Sequence, residues 1–266
     1  MRLVGLAALA AFALAAPAGA QQLGAATKSP PPAGVKAGEG AAFPKGHYGA
    51  LDALPDWGGV WFVMFQGRVP GAAPEAQPKL KGEYLKRYEA WRTAARAAEG
   101  VTKRDRSYCS PPGMPRIMRL AQYPYEYLFT PGRVTVHQEA WMQVRTIWTD
   151  GRAHQDDPDP TFMGDSIGHW EGQTLVVDTT AISDQLDIDT GMPHSDQFHL
   201  TERIHLDPAN PDVLVNEMRM EDPKALAEPF EVAVKYRRDR YGALLEFECS
   251  QNDRNPVNAN GDTEFH

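Results

Sequence analysis

Apolar and polar residues alternate through most of the second half of the chain. This period of two predicts short strands over 125–130, 133–137, 140–149, 166–170, 174–180, 198–207, 213–221, 230–237 and 244–249. Turn signals separate them: TPGR at 130–133, TDGR at 149–152, EGQ at 171–173, DPANPD at 207–212 and DRYGA at 239–243. An earlier run, PDWGGVWFVMF at 55–65, supplies a Gly-Gly turn and then β-branched and aromatic residues. One segment has a different period. Across 79–99, Leu80, Tyr84, Tyr88, Trp91, Ala95 and Ala98 recur at steps of three and four, and Gly100 follows as a stop, which predicts an amphipathic helix lying against a sheet.

Consecutive short strands without helices between them read as an antiparallel meander. With about ten strands, such a sheet should curl or close to remove its edges. The expected fold is therefore mainly β, a lipocalin- or calycin-like barrel preceded by one helix. The strand texture spans 55–254 as one domain, with 255–266 as a tail.

The N-terminus changes the picture of where the domain works. Arg2, an Ala/Leu-rich run and Ala18-Gly19-Ala20 read as a cleaved bacterial secretory signal over 1–20. Residues 21–54 are rich in Ala, Gly, Pro and Lys and poor in large apolar groups, which predicts a mobile leader. The expected location is periplasmic or secreted, with no membrane span once the signal is removed. The chain carries 27 Lys+Arg against 35 Asp+Glu; losing Arg2 leaves 26 against 35, a net charge of −9. That balance, without a basic stripe, argues against nucleic-acid binding. In an oxidising compartment Cys109 and Cys249 can pair. The bond would close a loop of about 140 residues, worth about 4–5 kcal/mol in the chain-entropy view; two buried free thiols are the alternative.

Candidate chemistry lies where a polar group falls in an apolar register. In 198–207 the inward set is Phe198, Leu200, Glu202, Ile204 and Leu206, so Glu202 is a carboxylate among apolar side chains. It is either a proton-transfer group with a raised pKa or half of a buried Glu–Arg pair. If no bulge intervenes, Arg133, Thr135, His137, Glu139, Trp141, Gln143, Arg145 and Ile147 share one face, and Val134, Val136, Met142, Val144 and Trp148 form the packed one. Arg145 is the cation best suited to Glu202. His194 sits in GMPHSD beside Ser195 and Asp196, which as sequence neighbours do not make a catalytic triad. His199 and His205 fall on the outward register and should be solvated. The loops 150–160 and 184–191 are oxygen-rich, and the second resembles a calcium loop in composition only. No metal-ligand spacing or nucleotide fingerprint appears, so no cofactor is expected.

The motifs CSPPGMPRIM, TPGRV, WTDGRAHQDDPDPTFMGDSIGHWEGQTLVVDTT, PHSD and LTERIHLD, in that order between Pro55 and Arg254, resemble a large, mostly uncharacterised family of secreted proteins from Gram-negative, sphingomonad-type bacteria. The resemblance implies secretion and a lipocalin-like β fold. It brings no catalytic residues with it.

Two functional expectations remain. The first is an enzyme acting on a small, largely apolar or aromatic molecule by metal-free lyase, isomerase or hydrolase chemistry. Glu202, His194, Asp196 and Arg145 would carry the reaction, and Arg152, His137, Trp141, Phe162 and His169 would hold the substrate. The second is a periplasmic carrier, in which the same residues only orient a hydrophobic ligand. They separate on convergence: an enzyme needs His194 and Glu202 at one cavity point, a carrier only an apolar cavity.

Overall fold

The structure, a computed structural model, describes residues 51–64, 76–97 and 110–248. Its strands are β1 (Val60–Val63), β2 (Tyr125–Thr130), β3 (Arg133–Gln138), β4 (Gln143–Trp148), β5 (Asp165–Glu171), β6 (Thr174–Thr180), β7 (Asp187–Asp189), β8 (Met192–Pro193), β9 (His199–Asp207), β10 (Asn210–Glu221) and β11 (Phe230–Asp239). One helix, α1, spans Gly82–Ala97. Nine strands close a barrel in the order β1-β11-β10-β9-β6-β5-β4-β3-β2, while β7 and β8 form a separate hairpin. Closure gives every barrel strand a partner on both sides, although β1–β2 and β4–β5 are joined over only two residue pairs each.

The meander is broken once. β4 and β5 run parallel, through Ile147↔Ser166 and Trp148↔Ile167. A parallel neighbour needs a return crossing that no tight turn provides. Residues 149–164 make that crossing, and Pro158 and Pro160 within it lack the N–H a ladder strand would need.

The face assignment across β3 and β4 also differs from the unbroken alternation. A short 3-10 turn at Ala140–Met142 places Trp141 and Met142 at positive φ. The hairpin then pairs Val136 with Arg145 and Val134 with Ile147. Residues opposite each other share a face, so the even positions of β3 and the odd positions of β4 point inward together. Val134, Val136, Arg145 and Ile147 are buried, while Met142 and Val144, expected in the core, are exposed.

The predicted strand at 244–249 is absent over its described part, 244–248. β11 already closes on β1. The chain beyond it leaves the ladder, with Leu245 donating its N–H to Glu139 Oε2 (2.8 Å) and Phe247 resting against Tyr123 and Trp141. At the other end, Leu51 is already buried and Leu54 N–H bonds its carbonyl (3.0 Å), so ordered structure begins before Pro55. Cys109 and Cys249 with their expected bond, the expected signal at 1–20 and the remainder of the expected leader and tail lie outside the described residues.

Helix α1 buries no side chain completely; Tyr84, Tyr88, Trp91 and Ala95 are half-buried. Its main partner among the strands is β8, and Tyr84 and Tyr88 pack against the hydrophobic core. Trp91 covers Gly191, where an added Cβ would fall 2.3 Å from the indole. With φ at +74°, this position suits glycine on both counts. Among the described residues no helix is long and apolar enough to cross a membrane.

Both barrel ends are filled. At one, Trp57 is 1% exposed and meets Tyr127, Phe129 and Trp170 at ring distances of 5.2, 5.3 and 5.5 Å. Its segment is fastened by Arg238, which bonds both the Asp56 carboxylate (3.2 Å) and the Asp56 carbonyl. At the other end the 3-10 turn Arg116–Arg119 acts as a plug. The hydroxyls of Tyr125 and Tyr236 donate to the carbonyls of Ile117 and Met118, each at 2.7 Å, and Gln138 Nε2 donates to Ile117 at 3.1 Å.

Candidate functional site

Glu202 faces inward from β9 between Leu200 and Ile204 and is 0% exposed. It pairs with Arg145 across the barrel and accepts from Asn216 Nδ2 (2.8 Å). Arg145 also donates through Nη2 to Thr179 Oγ1 (2.8 Å) and through Nε to Ser166 Oγ (3.2 Å), and those hydroxyls lie 3.0 Å apart. Five strands, β4, β5, β6, β9 and β10, thus contribute to one layer of mutually bonded polar groups, which is how an interior tolerates charge. Burial raises the Tyr127 hydroxyl pKa, and the Glu202 charge adds to the shift. The Tyr236 pKa is raised well above its ordinary value by burial first and then by Tyr127, Tyr125 and Glu202.

The other candidates do not join this layer. His194 is buried and lies against Phe198, with Nδ1 2.9 Å from the Ser195 carbonyl. Burial lowers its pKa, and the acidic groups that act on it are Asp222, Asp184 and Asp187 rather than Glu202. Asp196 points outward to Lys224 Nζ (2.6 Å), which lowers its pKa. Arg152 is exposed, gripping Asp150 (2.6 and 2.9 Å) and lying 3.7 Å above the Trp148 ring. His137 is on the outward face of β3, His169 pairs with Glu171 at the surface (3.3 Å), and Trp141 sits at the β3–β4 corner. Phe162 packs on the core edge, its carbonyl taking Met114 N–H (2.8 Å). Of the candidates, Arg145 and Glu202 alone meet.

Two groupings were not foreseen. Asp222 accepts Ser195 N–H and Oγ–H, both at 2.7 Å, and the N–H groups of Lys224 and Ala225, both at 2.9 Å. Ser195 is thereby committed to holding the β8–β9 loop. On the barrel's outer face, Asp178 of β6 joins His199 of β9 (2.9 Å) to His154 Nε2 (2.9 Å), whose Nδ1 lies 2.9 Å from Asp165 Oδ2. The carboxylate raises the His199 pKa, and His199 in turn lowers that of Asp178. His199, expected to be solvated, is tied into this chain, which pins the 149–164 crossing to the barrel. Among the described residues no set of three or more His, Cys, Asp or Glu converges as a metal site.

A cleft of about 200 Å³ opens over Phe129 and Trp170, the two rings that touch the buried Trp57. Leu51, Leu54, Phe129, Val134 and Trp170 form its apolar walls, the β2–β3 turn Thr130–Arg133 its rim, and Thr149 adds a hydroxyl. Phe129 and Trp170 both touch Trp57, whose buried Nε1 has no partner among the described residues, nor does the Tyr127 hydroxyl behind it. Phe129 follows the buried Tyr125 and Tyr127 of β2 by simple alternation, whereas Leu51 falls in the stretch expected to be a mobile leader. The second cavity, about 10 Å³ beside Gln138, Gln143 and Arg145, has room for about one water molecule. Arg145 Nη1 and Gln138 Oε1, both lacking a partner among the described residues, belong to groups on its wall. Compared with known proteins, the chain matches no family model, and no curated protein matches it.

Proposed function

We propose that this chain is a secreted, periplasmic carrier that binds a small apolar or aromatic molecule at the Trp57 end of its barrel. One observation carries the reading: the cleft of about 200 Å³ between Leu51, Leu54, Phe129 and Trp170. Concave sites with apolar walls and a few polar groups are the usual form of small-molecule sites, and those for drug-sized ligands begin near 300 Å³. This one therefore suits about a single ring with a short substituent. The secretory pattern at 1–20 supports the location. Binding is favoured over catalysis because the acid–base candidates are dispersed: Glu202 is bonded to Arg145 and Asn216, His194 lies among other neighbours, and Asp196 faces outward.

Calorimetric titration of the mature protein with 2-phenylethanol tests this. Saturable one-to-one binding with a negative heat-capacity change is expected. Leu54→Lys, which sets a charged chain in the cleft, should weaken it by about tenfold or more. Absence of binding, or binding unchanged in Leu54→Lys, would overturn the reading.

A further inference from the structure

The cleft has one ionisable lining residue, Arg133, the last residue of the β2–β3 turn and exposed to solvent. Arg133 Nε reaches Thr130 Oγ1 at 3.4 Å, and its guanidinium carbon lies 5.9 Å from the centre of the Trp148 ring. No carboxylate among the described residues pairs with it. Asp150, which lies beside Gly132 of the turn, is taken by Arg152. This is a cation at an apolar mouth with threonine hydroxyls around it. Behind the walls, the buried Trp57 Nε1–H is a second donor without a partner.

Resting on the carrier reading, we propose that the ligand is a small apolar monocarboxylate. Its hydrocarbon body lies between Phe129, Trp170, Leu51 and Leu54, and its carboxylate meets Arg133 and the hydroxyls of Thr130 and Thr149 at the rim. Each polar group matches: guanidinium and hydroxyl donors face an acceptor-only anion, in the geometry for which arginine is suited. A cationic ligand would meet Arg133 as a like charge. A doubly charged ligand would bring a second charge that no lining residue neutralises.

Three single-ring probes separate the alternatives in calorimetric titrations of the mature protein at pH 7. Phenylacetate, phenylacetamide and 2-phenylethanol share a body and differ in the head group. Phenylacetate is expected to bind about fivefold or more tightly than the two uncharged probes, with an advantage that shrinks as salt rises. Arg133→Met keeps the stem and removes the charge; the exposed side chain has no ion pair among the described residues, so the fold should tolerate it. In that variant the preference for phenylacetate over the two uncharged probes should vanish. Equal affinity for the acid and the amide in the parent, or an acid preference surviving in Arg133→Met, would overturn the monocarboxylate assignment and leave the carrier reading standing. Failure of 2-phenylethanol to bind would overturn the carrier reading, and this inference with it.

Discussion

Replacing Glu202 with Gln tests whether the buried charge is part of the framework. The side chain keeps its shape and its neighbour Asn216 but loses the charge that balances Arg145, which is itself 2% exposed. Thr179 and Ser166 remain as neutral acceptors for the guanidinium. Removing one partner of a buried pair typically costs about 3–5 kcal/mol. With those two hydroxyls in place the lower end, about 3 kcal/mol, is expected for Glu202→Gln. For a domain of this size that corresponds to a fall in Tm of about 6–12 °C. Urea unfolding followed by tryptophan fluorescence gives the value directly, with an unchanged m-value expected if the native surface is preserved. The paired variant Arg145→Met/Glu202→Met should recover most of the loss, because apolar replacement of a buried ion pair is often neutral or better. A Glu202→Gln protein within about 0.5 kcal/mol of the parent would refute the reasoning, since surface positions behave that way and buried counter-charges do not.

Other consequences are equally accessible. His199 has a raised pKa and Asp178 a lowered one, so their contributions run in opposite directions with pH. The His199 share is complete below its unfolded value of about 6.5 and is lost as pH rises through the folded value; the Asp178 share is present above about 3.9 and is lost as pH falls through its folded value. Stability should therefore fall as pH rises above about 6.5 in the parent and change less in Asp178→Asn, as read by urea midpoints on either side of that pH. Tyr127→Phe removes a hydroxyl with no partner among the described residues and should be neutral or slightly stabilising. Tyr236→Phe breaks the bond to the Met118 carbonyl and should cost about 1–2 kcal/mol in the same assay. Gly191→Ala forces a methyl into the Trp91 ring at a positive φ and should cost about 1–3 kcal/mol, with changed Trp91 fluorescence as α1 lifts from β8.

What could be read in advance divides along physical lines. Alternation along each strand is local, so the inward set of β9, including Glu202, followed from sequence, and an arginine partner was the natural complement. The face of Arg145 depended on the turn at Ala140–Met142, where two residues at positive φ reset the alternation without a glycine to announce it. The parallel β4–β5 pair is non-local and leaves no periodic trace. The Asp178–His199 link is a cross-strand relation, visible only once β6 and β9 are neighbours. Asp222 and Ser195 stand 27 residues apart, so nothing local announced Ser195 as the fastening point of the β8–β9 loop. The cleft itself combines the β2–β3 hairpin, Thr149, Trp170 and the turn at Leu51–Leu54, four separate stretches brought together by closure.

The central claim is that a small apolar molecule binds at the Trp57 end of the barrel. Amide and indole chemical-shift mapping of isotope-labelled mature protein during titration with phenylacetate tests it most directly. The account predicts saturable shifts centred on Leu51, Leu54, Phe129, Arg133 and the Trp170 indole N–H, with the Trp57 indole N–H among the largest. Shifts centred instead on His194, Asp196 and the β8–β9 loop, or no saturable shifts at all, would contradict it.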